Sequence, residues 1–454
     1  MEEMQVPIRI SGLSGGGLPP NLVDQVIEAE RTPIKKMQED KAKIEDKVKL
    51  VTDFESKIND IIKNLGSVIG TRGFSDMKFV SGFPDILDGT VDPAVADSGD
   101  WTLEVSQLAT KPSVISTGVA DKDQTSIGVG YIKFDTPQGE QEVYISQDQS
   151  TLEKVATKIN ASNVGVRATI INDRKDKEES FKLQLTGTQT GDDNEIIFPK
   201  VYMVDGDVDF SFADKLAAQN AKFKVNGHEI ESATNKVTDV IPGVAIDLKQ
   251  ARPGTPVKLT VTENYDAIGD KMKSFVDAYN AALGFIQNQN KLTNDKSGNP
   301  KLGPLGGDSM LRMTESRLRN IIQDRQLTNS PINRVIELGI EFNRNGTLNY
   351  SADKFKKAVS SNPKNVVEFL RGNLINTGFI TSMKSKLREV VDSQSGSVGA
   401  RKSNMQKQVS NIDEKIQRKE KQLEKREESL RRQFSQMEET MAKMQAQGQQ
   451  IGKG

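Results

Sequence analysis

From about Asn21 to Gly70 the apolar residues return at the spacing of one helical face. Met37, Ile44, Val51, Ile58 and Leu65 recur every seven residues, and Phe54, Ile61 and Val68 fill the interleaved position at intervals of three and four. A heptad sustained over about four repeats predicts a coiled-coil seam. Asn21 suits an N-cap, and Pro33, which lacks an amide hydrogen, predicts a break or restart. The far end of the chain repeats the rhythm. Val409, Ile412, Ile416, Leu423, Leu430, Met437 and Met444 fall on one seam, while Lys419, Arg426 and Gln433 interrupt its second core position. The flanks are dense in mixed charge, and Glu420–Glu424 and Glu424–Glu428 set like charges one turn apart. An isolated helix with this seam is marginal. The N-terminal heptad is its expected partner.

Between these ends, from about Phe74 to Thr262, the period changes to two. Trp101–Leu108, Tyr131–Phe134, Val164–Ile170, Phe181–Thr186 and Val257–Thr262 alternate polar and apolar, as half-buried strands do. Phe223–Ile230 reads as a hairpin turning at Asn226-Gly227. Ser150 is the expected cap of one helix whose Leu152, Val155, Ala156 and Ile159 share a face. From Ile268 to about Val391 helices return, with Met272, Phe275, Val276, Tyr279 and Leu283 on one stripe. Another helix is expected from Ser309, carrying Leu311, Met313, Leu318, Ile321 and Ile322. A second hairpin turns at Asn345-Gly346, and Ser351 caps residues 352–360. Gly396 and Gly399 punctuate the approach to the last helix.

The expected fold is α+β and multidomain: a helical leg built from the paired terminal segments, coiled coil plus helical bundle, carrying a β-rich two-lobed head. The expected division is 1–40 with 405–454 as a terminal coiled-coil leg, 41–75 with 265–404 as a helical domain, 76–116 with 215–264 as one head lobe, and 117–214 as the second.

Composition fits a solvated, elongated molecule. Of 454 residues 35% are hydrophobic and 5% aromatic, low for one dense globule, while 28% are charged with a net charge of −1. That balance offers no general attraction to nucleic acid or an anionic membrane. No run approaches the ~20 apolar residues of a membrane span. The absence of cysteine excludes disulfides, thiolate metal sites and cysteine nucleophiles, and the single histidine, His228, excludes a multi-histidine site within one subunit. Met1–Ile10 carries Glu2 and Glu3 and no apolar run, so a cleaved secretory signal is not expected. Gly15, Gly16 and Gly17 lack the Gly-Lys-Ser/Thr of a phosphate loop and read as a hinge. Asp205-Gly-Asp-Val-Asp has Leu216 where a calcium loop needs glutamate, and reads as a turn. The basic residues of 401–432 are interleaved with acids, as on a solvated coil face. No constellation points to an enzyme, a metal or a cofactor.

Over nearly its whole length the chain resembles the flagellar filament cap family, the hook-associated protein two family. The block Ile10–Ile34, with its glycines, a short helix ending in Glu30-Arg31, and then Pro33-Ile34, is similar to the family's opening. Trp101–Thr110 resembles its first head strand, Ile127–Phe198 the repeat shared with flagellins, and Asn235–Leu248 the strand pair before the chain re-enters the helical part. Phe275–Asn280, Gly339–Phe342, Gly346–Leu348 and Arg431–Glu438 resemble the C-terminal half. The resemblance implies export through the flagellar secretion channel without a cleaved signal and assembly as a homo-oligomeric ring at the filament tip, with a pentamer the first expectation. It implies flagellin as the partner whose folding and insertion are promoted, and contacts with the hook-filament junction protein and an export chaperone. Under it, the two seams (Met37, Ile44, Val51, Ile58, Leu65; Val409, Ile412, Ile416, Leu423, Leu430, Met437) become oligomer or flagellin contacts. The alternative is a surface adhesin using the exposed β-rich head.

Overall fold

A computed structural model describes residues 22–451, apart from 71, 138, 175, 295–297, 374 and 376. The chain is mixed α and β and divides into two compact units, residues 68–268 and residues 1–67 with 269–454. It opens with α1 (Leu22–Gly66), 45 residues long, which runs through Pro33 without interruption. The expected break does not occur. Pro33 is exposed, so the carbonyl its ring leaves without a donor lies where water satisfies it, while Ile34 beside it is buried.

The unit of residues 68–268 is built from β1 (Met77–Ser81), β2 (Leu87–Val91), β3 (Gly99–Gln107), β4 (Ser113–Val119), β5 (Val129–Thr136) and β6 (Gly139–Ile145). Then come α2 (Leu152–Ser162), β7 (Val166–Asn172), β8 (Phe181–Gly187), β9 (Ile197–Val204) and β10 (Phe212–Leu216). It closes with β11 (Ala221–Val225), β12 (His228–Ser232), β13 (Lys236–Ile241), β14 (Val244–Leu248) and β15 (Val257–Glu263). Two antiparallel sheets, β1-β15-β3-β11-β12 and β13-β14-β2, enclose one core around Leu103, Phe223, Ile246 and Leu259. The β11–β12 hairpin turns at Asn226-Gly227, both in the left-handed region, which this two-residue turn requires.

A separate core of the same unit lies among β10-β4-β8-β7, β6-β5-β9 and α2. Leu152, Val155, Ala156 and Ile159 of α2 are buried in it as the spacing predicted. The helix, however, starts after Thr151, and Ser150 instead donates its hydroxyl to the Gln147 carbonyl. Alternation is strict along β5: Ile132 and Phe134 point inward, while Tyr131 faces out beside Tyr144 and Tyr202 of the neighbouring strands.

The other unit continues with α3 (Tyr265–Asn290) and a short hairpin of β16 (Thr293–Asn294) and β17 (Pro300–Lys301). Next come α4 (Ser309–Gln323), β18 (Ile340–Phe342), β19 (Leu348–Tyr350) and α5 (Ala352–Ser361). It ends with α6 (Pro363–Arg371), α7 (Phe379–Val391) and α8 (Ser397–Ile451). The predicted stripe of α3 is buried throughout. The Asn280 side chain ties this helix to the second hairpin, accepting from the Leu348 amide at 2.7 Å and donating to its carbonyl at 2.9 Å. Ser351 caps α5 by accepting from the Lys354 amide. Helix α4 starts at Ser309 as expected, with Asp308 as its N-cap, and Met313 on it is exposed. Gly399 lies inside α8: a Cβ there would sit 2.2 Å from the Asp392 carbonyl oxygen. The glycine serves close approach of backbone to backbone, not a break.

Candidate assembly interface: the paired chain ends

Helices α1 and α8 lie antiparallel, and their apolar seams meet as the heptads predicted. Val23, Ile27 and Ile34 pack with Ile416, Leu423 and Leu430, and Val26, Met37, Ile412 and Phe434 close the sides. Farther along α1, Val51, Phe54, Ile58, Ile61 and Leu65 are fully buried. There the seam also meets α7, and Phe54 stacks on Phe285 of α3 with ring centroids 5.3 Å apart.

The singled-out residues separate into three groups. Val51, Ile58, Leu65, Ile416, Leu423 and Leu430 are buried, while Met37, Ile44, Val409 and Ile412 are half-buried. Met437 and Met444 are exposed. Gly15, Gly16, Gly17 and the expected N-cap Asn21 lie outside the described residues. Sequence reasoning began the first seam at Met37 and missed Val23, Ile27 and Ile34. Their spacing of four and seven was available, but the expected break at Pro33 cut them off. Phe434 was missed as well, because the strict heptad pointed to Gln433.

Polar positions along the seam are paired across it. Asp24 meets Arg431 at 3.1 Å, Glu30 meets Arg426 at 3.7 Å, Lys41 meets Asp413 at 2.6 Å, and Glu55 meets Lys402 at 2.7 Å. Arg426, read in the sequence as an interruption, thus faces an acid on its partner. Ion pairs this exposed each contribute little to stability. Their consequence is register, since a slip of one turn would separate all of them. The hydrogen bond that Lys41 donates to the Asp413 carboxylate holds its ammonium above its ordinary value, and Glu427 followed by Asp24 raises Arg431.

Beside the seam runs a groove of about 780 Å³ with Ile34 and Leu423 in its lining. Its α1 wall carries Arg31 and Lys35; its α8 wall carries Glu420, Lys421 and Glu424. Among the described residues no cluster of His, Asp and Glu could hold a metal ion, and no helix is long and apolar enough to cross a membrane.

A family model described as flagellar hook-associated protein 2 C-terminus matches residues 218–446, and one described as flagellar hook-associated protein 2 N-terminus matches residues 18–112. The B-type flagellar hook-associated protein 2 of Pseudomonas aeruginosa is 28% identical over 387 residues, covering 79% of each chain. The D1-D2-D3 domains of the flagellar cap protein FliD from Escherichia coli match with a TM-score of 0.56 over 79% of this chain and 99% of that one; at 22% identity this speaks for fold alone. The flagellar cap protein FliD from Bdellovibrio bacteriovorus is 52% identical over 40% of this chain and 98% of its own, with a TM-score of 0.37.

Proposed function

The chain belongs to the flagellar hook-associated protein 2 family, and from that premise we propose that it caps the flagellar filament at its distal tip. In this reading it leaves the cell through the flagellar export system without a cleaved signal, assembles as a homo-oligomeric ring (a pentamer first), and promotes folding and insertion of flagellin. The hook-filament junction protein and an export chaperone are its further partners. The protein acts by binding and positioning, not by covalent chemistry.

The observation that carries the reading is the α1–α8 pair. Family models reach into both chain ends, and those two ends form a long antiparallel helix pair with a thin apolar seam. We assign residues 1–40 with 405–454 to a terminal leg, 41–75 with 265–404 to a helical domain, and 76–116 with 215–264 and 117–214 to two head lobes. The seam residues from Met37 to Leu65 and from Val409 to Met437 then serve subunit or flagellin contact, with Gly15–Gly17 as a hinge.

Deleting the gene tests this. Short or missing filaments, with flagellin released into the medium, are expected. Filaments of normal length with flagellin retained would sink the cap reading.

A further inference from the structure

Tyrosine is exposed at one place in this chain. Of the six tyrosines, Tyr279 and Tyr350 keep their hydroxyls buried, and Tyr265 is half-buried. The other three, Tyr131, Tyr144 and Tyr202, are each at least 43% exposed. Strand register sets these three in one row: Tyr131 on β5 lies directly opposite Tyr144 on β6 and directly opposite Tyr202 on β9. Directly opposed residues hold their Cβ atoms ~4.5–5.5 Å apart, close enough for side chains to meet. The Tyr131 and Tyr144 rings do meet, with centroids 5.0 Å apart and planes inclined at 49°. Farther along the same face, Lys133 pairs with Glu140 at 2.7 Å and with Glu142 at 3.7 Å, which pins β5 to β6 in this register.

We infer that Tyr131 and Tyr144 form an oxidative modification site, at which a dityrosine bond staples β5 to β6. The inference is independent of the role given to the chain ends. The co-substrate is hydrogen peroxide, acting through a haem peroxidase. Each phenol gives up one electron and its hydroxyl proton and becomes a phenoxyl radical. The two radicals join through ring carbons adjacent to the hydroxyl-bearing carbons. A carbon–carbon bond forms, the C–H bond at each joined carbon breaks, and those two protons move to the oxygens and restore both phenols. The two electrons and two protons released at the start reduce one peroxide to two waters. Proximity favours this pair: the rings already touch, so coupling needs only side-chain rotamer motion, which is fast at exposed positions. A partner held in contact also outcompetes one on another chain. The chain has no cysteine, whose thiol is otherwise a ready target of peroxide. The closed loop, residues 131–144, is short, so the staple fixes the strand pair with a modest gain in stability. It supplies a covalent lock to a chain that can form no disulfide.

The test treats the full-length protein with hydrogen peroxide and a haem peroxidase, then reads dityrosine fluorescence and the mass of the intact chain. A single-chain species lighter by two hydrogens is expected. After tryptic cleavage, which cuts at Lys133, the peptide holding Tyr131 is expected to be joined to the one holding Tyr144. Methionine oxidation adds oxygen instead, so mass separates the two reactions. Tyr131→Phe and Tyr144→Phe each keep the ring and remove only the hydroxyl that the radical needs. Either is expected to lower the fluorescence about tenfold or more, because the contact pair is lost. Tyr202→Phe is expected to leave it nearly unchanged. Circular dichroism matching wild type shows that a loss of fluorescence is loss of the hydroxyl and not of the fold. Fluorescence that survives Tyr131→Phe or Tyr144→Phe overturns the proposal. So does a main product joining Tyr131 to Tyr202, or cross-links found only between chains.

Discussion

The two halves of α1 share one heptad rhythm but have different surroundings. In the half from Val51 to Leu65 every seam residue is fully buried. A second layer, with Phe285 on α3 and helix α7, covers what α8 leaves open. In the half from Val23 to Ile34 the seam, among the described residues, rests on α8, and Val23 and Leu430 each keep 9% of their surface. A heptad therefore says that a face will be covered, but not how deeply. One half is an anchor in a multi-helix core. The other is a two-helix seam, which short stretches of burial hold only marginally.

Substitutions can break or sharpen that contrast. The largest effect is expected from Phe54→Ala, which opens a cavity against Phe285 and should cost about 3–5 kcal/mol in chemical denaturation. Leu423→Ala removes a seam residue that only two helices surround, and its site can collapse. About 2 kcal/mol is expected, with faster amide exchange confined to residues 416–430 and their partners on α1. If it lowered overall stability as much as Phe54→Ala, the contrast would be wrong. Lys402→Ala breaks a half-buried pair in the deep half and should cost under about 1 kcal/mol. Arg426→Ala, in the exposed half, should cost less still in the same assay.

The smallest effects are those of pH. Backbone and hydroxyl hydrogen bonds from Ser395 and Gln394 hold the Asp392 carboxyl, at the turn into α8, below its usual 3.8. A depressed carboxylate contributes above its ordinary value, so this turn loosens only as pH falls below about 3.8. Lys41 is raised above 10.5 by Asp413. A raised lysine contributes below its ordinary value, and its contribution is lost as pH rises past 10.5. Amide exchange should thus find the turn loosening in acid and the Lys41 stretch loosening in alkali, with both steady at neutrality.

Much of this was legible in advance. The heptads, the α3 stripe, the buried face of α2, both hairpin turns and the Ser351 cap depend on local periodicity or turn chemistry, which neighbouring residues dictate. The errors at Pro33, Ser150 and Gly399 share another cause. Each treated a residue's local preference as decisive where packing or a close backbone approach overrode it. Pro33 is tolerated because it faces water, and Gly399 continues a helix because Asp392 presses against it.

The sequence by itself determined that two terminal helices carry matching apolar seams and that the middle is β-rich. It determined this because side-chain period follows from backbone geometry alone. Only the tertiary structure decided which residues meet across the seam, that Glu30 answers Arg426 and Glu55 answers Lys402, and that one half is roofed while the other is bare. Those are relations between residues hundreds of positions apart in the chain, and no local pattern encodes the distance between them.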